Sequence, residues 1–178
     1  MISKELFEEA KCKAMGYFEK AHIVITDEEK GKIEVADFGL GDLWNTGLEI
    51  LTYVNTDRVC AKELVVLPNQ TCPEHRHPQI GDYIGKQETF RCRYGTVYLY
   101  VEGEPVIKRA VEPPPGAYSV FHEVKLISGQ QYTLFPNTKH WFKAGPEGAV
   151  VSEFSTSSYD EGDIFTDENI KRIPEVEV

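Results

Sequence analysis

The chain has 178 residues, 41% of them hydrophobic, a length and composition that suit one domain with a sizeable core. Nineteen basic residues against 29 acidic ones give a formal charge of −10, a field that disfavours nucleic acid and anionic membrane surfaces as partners. Four cysteines, Cys12, Cys60, Cys72 and Cys92, show no C-x-x-C spacing and are too few for a disulfide framework in a chain this long.

Residues 4–20 predict an amphipathic helix packed outside the main body. Leu6, Phe7, Ala10, Ala14 and Phe18 recur at three-to-four spacing, and Ser3 is the expected N-cap. Met1–Leu6 lacks a basic-then-apolar signal pattern, and no apolar run approaches the roughly 20 residues of a membrane span. A reducing cytoplasm is the expected location. From about residue 30 the pattern changes to short β-like runs punctuated by Gly, Pro and Asn. Strands are expected near 33–37, 49–54, 60–67, 86–93, 96–102, 117–121, 131–135, 140–143 and 148–155. Many short strands between turn signals indicate a sandwich or barrel. Pro113–Pro115 and Gly116 read as an ordered turn or extended connector. Cys92 alternates in phase with Glu88 and Phe90, so it reads as a small core residue. The acidic run Asp160–Asp163 opens a tail expected to wrap the surface. The expected division is a helical segment (1–30), a barrel (31–158) and an acidic tail (159–178), all within one domain.

The run Thr71-Cys-Pro-Glu-His-Arg-His-Pro78 carries the most chemistry. Histidines at i and i+2 on a strand share one face, so His75 and His77 can reach one metal ion. Glu88 and His140 could add an oxygen and a third nitrogen. Three histidines and one carboxylate suit a first-row divalent ion with room left for substrate. A lone His-x-His pair is often only a polar surface strand; the two further ligand types weigh against that reading.

His75-x-His77, Glu88 six residues ahead of Gly95, and Gly129, Pro136 and His140 further on together resemble the cupin family. The implied fold is an all-β jelly-roll barrel with the N-terminal helix outside. Ten residues separate His77 from Glu88, a long insert that points to a subfamily. That insert, Glu74–Pro78, the run Lys86-Gln-Glu-Thr-Phe90 and Pro136–Phe142 resemble the D-lyxose isomerases, small cupin sugar isomerases. The resemblance implies a divalent metal, usually manganese (Mn2+), held by His75, His77, Glu88 and His140. It implies interconversion of D-lyxose with D-xylulose, action on D-mannose and D-fructose, and a homodimer.

Aldose–ketose isomerisation moves a proton between C2 and C1, and the developing enediolate needs electrostatic stabilisation. A metal on the two oxygens would act as Lewis acid while a base carries the proton. The neutral open-chain sugar is compatible with the charge of −10. Lys62, in phase with Leu64 and Val66, matches the place ahead of His-x-His where the family pattern expects a lysine in proton transfer. Its alternative is an exposed strand lysine with its stem over the sheet. Glu153 shares phase with Val151 and so points into the barrel, where an unpaired carboxylate is costly unless functional; its alternative is a surface glutamate. Lys62 and Glu153 flanking the substrate would supply acid and base together.

Trp44, Tyr98, Phe121 and Trp141 could line a sugar pocket, though aromatics on a β-core more often pack. Arg91 and Arg93 should face outward, and His22 and His122 read as surface or satisfied histidines. Three other functions share these residues. A cupin phosphoglucose isomerase would need a phosphate cradle, yet Arg76, Lys86 and Arg109 are scattered. An iron dioxygenase would use the same ligands with O2 in an open position. A sugar-sensing module would bind pentoses without turnover.

Overall fold

In the computed structural model, which describes residues 1–173 and 175–177, Ser3 caps helix α1 (Lys4–Lys20) by accepting from Leu6 N at 3.2 Å. The expected face of the helix is the one that packs. Ala14, Tyr17 and Phe18 meet Leu51, Val65, Leu67 and Val150, while Ala10 joins Ile2, Val35 and Leu43. A short second helix, α2 (Asp27–Gly31), went unread although its start is encoded. Thr26 and Glu29 form a reciprocal capping box, each side chain serving the other's backbone N–H.

Among the described residues nine strands follow: β1 (Glu34–Ala36), β2 (Leu48–Asn55), β3 (Cys60–Val66), β4 (Thr71–Arg76), β5 (Glu88–Val101), β6 (His122–Ile127), β7 (Gln131–Leu134), β8 (His140–Ser155) and β9 (Ile164–Phe165). All the ladders between them are antiparallel. The two expected strand pairs at 86–102 and 140–155 are each one long strand, β5 and β8. These two bend together. At Gly95 (φ +70°) a Cβ would collide with the Gly148 carbonyl oxygen, so only glycine lets the strands cross this closely. The ladder slips register on both sides of this point, between Cys92 and Tyr94 and between Gly95 and Val97.

The bend divides β5 and β8 between two walls. One wall runs β1-β2-β3, the C-terminal half of β8, the N-terminal half of β5, then β7; the other runs β9-β4, the N-terminal half of β8, the C-terminal half of β5, then β6. Their inner faces enclose Ile50, Leu64, Cys72, Phe90, Cys92, Leu99, Phe142 and Val151, the core of a jelly-roll barrel as expected. Helix α1 covers the outside of the first wall, which is why β3 is buried on both faces rather than alternating.

Three local expectations need correction. Residues 117–121 are not a strand. The Ser119 and Val120 amides donate to the Glu74 carboxylate at 2.6 and 3.0 Å, so they are not available to a ladder. The strand lies one step later, at β6, where Val124 and Leu126 alternate inward before the Ser128-Gly129 turn. The expected strand ranges omit the His-x-His run, although the shared face of its histidines presumes a strand; residues 71–76 are strand β4, with His77 one residue beyond it. The acidic tail does more than wrap the surface, because β9 pairs with His75 and Arg76 of β4.

Candidate active site

The two walls meet at one end of the barrel, and each contributes half of a polar cluster. From the second wall come His75 on β4, His77 one residue beyond it, and His140 on β8 opposite His75. From the first come Lys62 on β3, Glu88 on β5 and Glu153 on β8. All six are buried. They line or adjoin a cavity of about 40 Å³ whose apolar side is Phe38, Ile50, Leu64, Phe90, Phe142 and Phe165.

The histidine rings are oriented alike. His75 Nδ1 lies 2.8 Å from Pro73 O, His140 Nδ1 3.0 Å from Thr138 O, and His77 Nδ1 2.5 Å from an Asp163 oxygen. Each Nδ1–H therefore has an acceptor, which turns every Nε2 lone pair toward the cavity. One ligand atom from each ring falls within 4.8 Å of the others. Glu88 Oε1 joins them, 3.2 Å from His77 Nε2 and 3.1 Å from His140 Nε2. His140 Nε2 is buried without a well-formed hydrogen bond. An orphaned imidazole nitrogen amid three convergent donors fits a metal ion better than a hydrogen-bonded core. The three histidines can therefore form a metal site, with Glu88 beside them.

The electrostatics point the same way. Burial and the other two imidazoles hold His75 well below its ordinary value, leaving it neutral and able to ligate. Burial alone would raise the Glu88 carboxyl, but Lys86 and His77 outweigh it and hold Glu88 well below the usual range. Burial and Lys86 lower His77, yet Glu88 and Asp163 prevail and lift it to about 9. These carboxylates favour positive charge beside His77, and a cation bound at its Nε2 would take the place of the proton they stabilise there.

Lys86 is the residue that sequence reasoning missed. It was set aside as one of several scattered cations, yet it is buried with Nζ 2.8 Å from Glu88 Oε2 and 3.1 Å from Glu153 Oε1. Burial depresses its ammonium, but Glu153 and Glu88 outweigh that and raise it well above its usual value. Its signal lay in the spacing Lys86-x-Glu88, which sends both side chains inward at the head of β5. Lys62 and Glu153 are directly opposed in the β3–β8 register, but neither bonds the other. Lys62 Nζ goes to Asp160 of the tail at 2.7 Å and to Ser158, just before it, at 3.1 Å. Arg172 also enters from the tail, binding Glu34 at 2.5 Å and Asp160 at 2.9 Å.

The other candidates lie elsewhere. Trp141 stacks on Tyr100 at 4.1 Å and donates Nε1–H to Val120 O, on the outer face of the second wall. Tyr98 and Phe121 pack there too, beneath the connector 102–121, and Trp44 is 38% exposed. None of the four lines the cavity. Arg91 and Arg93 face outward, bonding Gln131 and Ser152. His22 is exposed and His122 is satisfied by Glu104 O. Cys92 is a buried core residue, and all four cysteines are free. No described helix is long and apolar enough to cross a membrane.

No protein-family model matches the chain. Curated relatives do. A D-lyxose/D-mannose isomerase of Thermosediminibacter oceani is 62% identical over 180 residues, 99% of each chain. A D-lyxose ketol-isomerase of a Thermofilum species is 63% identical, again over 99% of each, and one of Cohnella laeviribosi is 56% identical over 96%. Among solved structures, L-ribose isomerase of Acinetobacter sp. DL28 superposes with a TM-score of 0.75 at 17% identity, covering 95% of this chain and 94% of that one. The Cellulomonas parahominis L-ribose isomerase gives 0.73 at 18% identity over the same shares. At such identities these two likenesses concern the fold.

Proposed function

The chain belongs to the D-lyxose isomerase family of aldose–ketose isomerases, and from that premise we propose that it interconverts D-lyxose with D-xylulose, and D-mannose with D-fructose, at the site between the two walls. The observation that carries this reading is the adjacency of the convergent histidine–Glu88 cluster to the buried Lys86–Glu153 pair. Nε2 of His75, His77 and His140, with the Glu88 carboxylate, would hold a divalent ion, manganese in this proposal. Such an ion, when bound, supplies Lewis-acid polarisation of the sugar's C1 and C2 oxygens.

The protein's own groups do the rest. Glu153 takes the proton from C2 of the aldose and returns it to C1, so the sugar's formula is unchanged. The Lys86 ammonium donates hydrogen bonds toward the negative charge that grows on the enediolate oxygens, in a site where water is largely excluded. Lys62 is a weaker candidate for this work, since its amine is bound to Asp160 and Ser158. The phenylalanines shield the reacting carbons. Lys62, Lys86 and Arg172 each already have a carboxylate partner, which favours a neutral sugar over a sugar phosphate. Family resemblance further supports a homodimer and a cytoplasmic location, and light scattering on the purified protein tests the first.

The test is a panel of free aldoses with manganese-loaded protein, followed by ketose assay. Ketose from D-lyxose, with less or none from D-mannose 6-phosphate, is expected. No ketose from lyxose, mannose, xylose or ribose would overturn the reading. Oxygen uptake on iron loading would favour a dioxygenase instead.

A further inference from the structure

His75 and His140 are oriented by local acceptors, the carbonyls of Pro73 and Thr138, each two residues earlier in the chain. His77 is different. It sits past the end of β4, without the ladder that fixes His75, and its Nδ1 is met by Asp163, 86 residues further on. We propose that Asp163 is a positioning residue for His77, and that docking of the tail around it is thermodynamically coupled to cation binding at the histidine cluster. The proposal rests on the metal reading above.

Three observations carry it. First, the Asp163 side chain is only 5% exposed, so the contact is built into the barrel end rather than made by a loose surface carboxylate. Second, Asp163 is held there by the tail's own docking. Ile164 and Phe165 pair with Arg76 and His75, the Thr166 amide and hydroxyl both bond Glu74, and Asp160 binds Lys62 and Arg172. Third, the chemistry of the acceptor matters. A carboxylate on Nδ1 fixes the tautomer that leaves Nε2 free, and it makes the ring a stronger donor than a neutral carbonyl does. His77 alone of the three has such a partner. Tail residues that undock would remove Asp163 and leave His77 free to turn. If docking favours the cation, the cation must favour docking by the same factor.

The experiment titrates metal-free wild type, Asp163→Asn, Asp163→Ala and Asp163→Glu with Mn2+, reading free ion by electron paramagnetic resonance. Hydrogen exchange of peptides covering residues 156–172 is followed with and without Mn2+. Asn and Ala should weaken Mn2+ about ten- to a hundredfold, with Glu restoring part of the loss. Mn2+ should slow exchange in the wild-type tail and not in Asp163→Asn, a difference that a merely structural aspartate would not produce. Asn is close to isosteric, so it carries the test if Ala does not fold. Wild-type affinity in both Asn and Ala, or a tail whose exchange ignores Mn2+, overturns the coupling and leaves the metal reading intact. A wild type that binds no Mn2+ overturns both.

Discussion

Lys86 and Glu153 form a buried ion pair, Nζ to Oε1 at 3.1 Å, and the same ammonium reaches Glu88 Oε2 at 2.8 Å. One cation therefore holds two carboxylates that come from the two long strands. Removing it strands both charges in a site with little water. Lys86→Met should cost roughly 3–5 kcal/mol of stability, as expected when one member of a buried pair is deleted. It should also lower turnover about a hundredfold or more, through loss of charge stabilisation. Urea unfolding and steady-state kinetics on the same preparation check the two effects.

Lys62 should behave differently. Its amine ties Asp160 and Ser158 to β3, and the proposed mechanism gives it the work of fastening the tail. Lys62→Met should reduce turnover much less than Lys86→Met and make the tail easier to cut. Limited proteolysis with mass spectrometry reads the cleavage sites. A Lys62 variant as inactive as Lys86→Met, with an intact tail, would return the proton-transfer role to Lys62.

Glu49 on β2 sets a pH dependence apart from the site. It is fully buried, Oε1 receives one bond from Gln70 at 3.1 Å, and Oε2 has no partner. Burial raises its carboxyl to about 8 from an ordinary 4.5. The folded protein thus prefers the neutral acid. That contribution is complete below the unfolded value near 4.5 and is lost as pH rises through about 8. Glu49→Gln should remove a loss on the order of a few kcal/mol. Thermal melts from pH 5 to 9 should show a shallower decline for the variant than for wild type.

Metal removal should cost stability as well as activity. An ion bound only by the folded state at a hundred times its dissociation constant adds about 2.7 kcal/mol. Chelated protein should melt lower than the manganese-loaded form, and the gap should shrink in His140→Ala, which loses a donor from the cluster. Calorimetry with and without chelator measures it.

The convergence of the histidines with Glu88 at one end of the barrel was legible because strand phase decides which side chains share a face. His75 and His77 at i and i+2 and the inward phase of Glu88 and Glu153 are visible in one dimension. The barrel was legible from its punctuation, and α1 from its apolar spacing. What stayed hidden depends on contacts between distant segments. Lys86 looked like a stray cation because Glu153 is 67 residues away. The tail looked solvated because its acids gave no sign that Lys62, Arg172 and His77 would receive them. The connector at 117–121 looked like a strand because nothing local shows that Glu74 takes its amides. Aromatic residues such as Trp141 and Phe142 are adjacent and differ only in face, one in the outer cluster and one on the cavity.

The proposed mechanism depends above all on Glu153, the group placed to carry the proton between C2 and C1. The decisive measurement is turnover of D-lyxose by Glu153→Gln, with bound manganese quantified in the same sample. Wild-type metal content, a KM close to wild type and a kcat lowered about a hundredfold or more are expected. Wild-type kcat at full metal occupancy would contradict it.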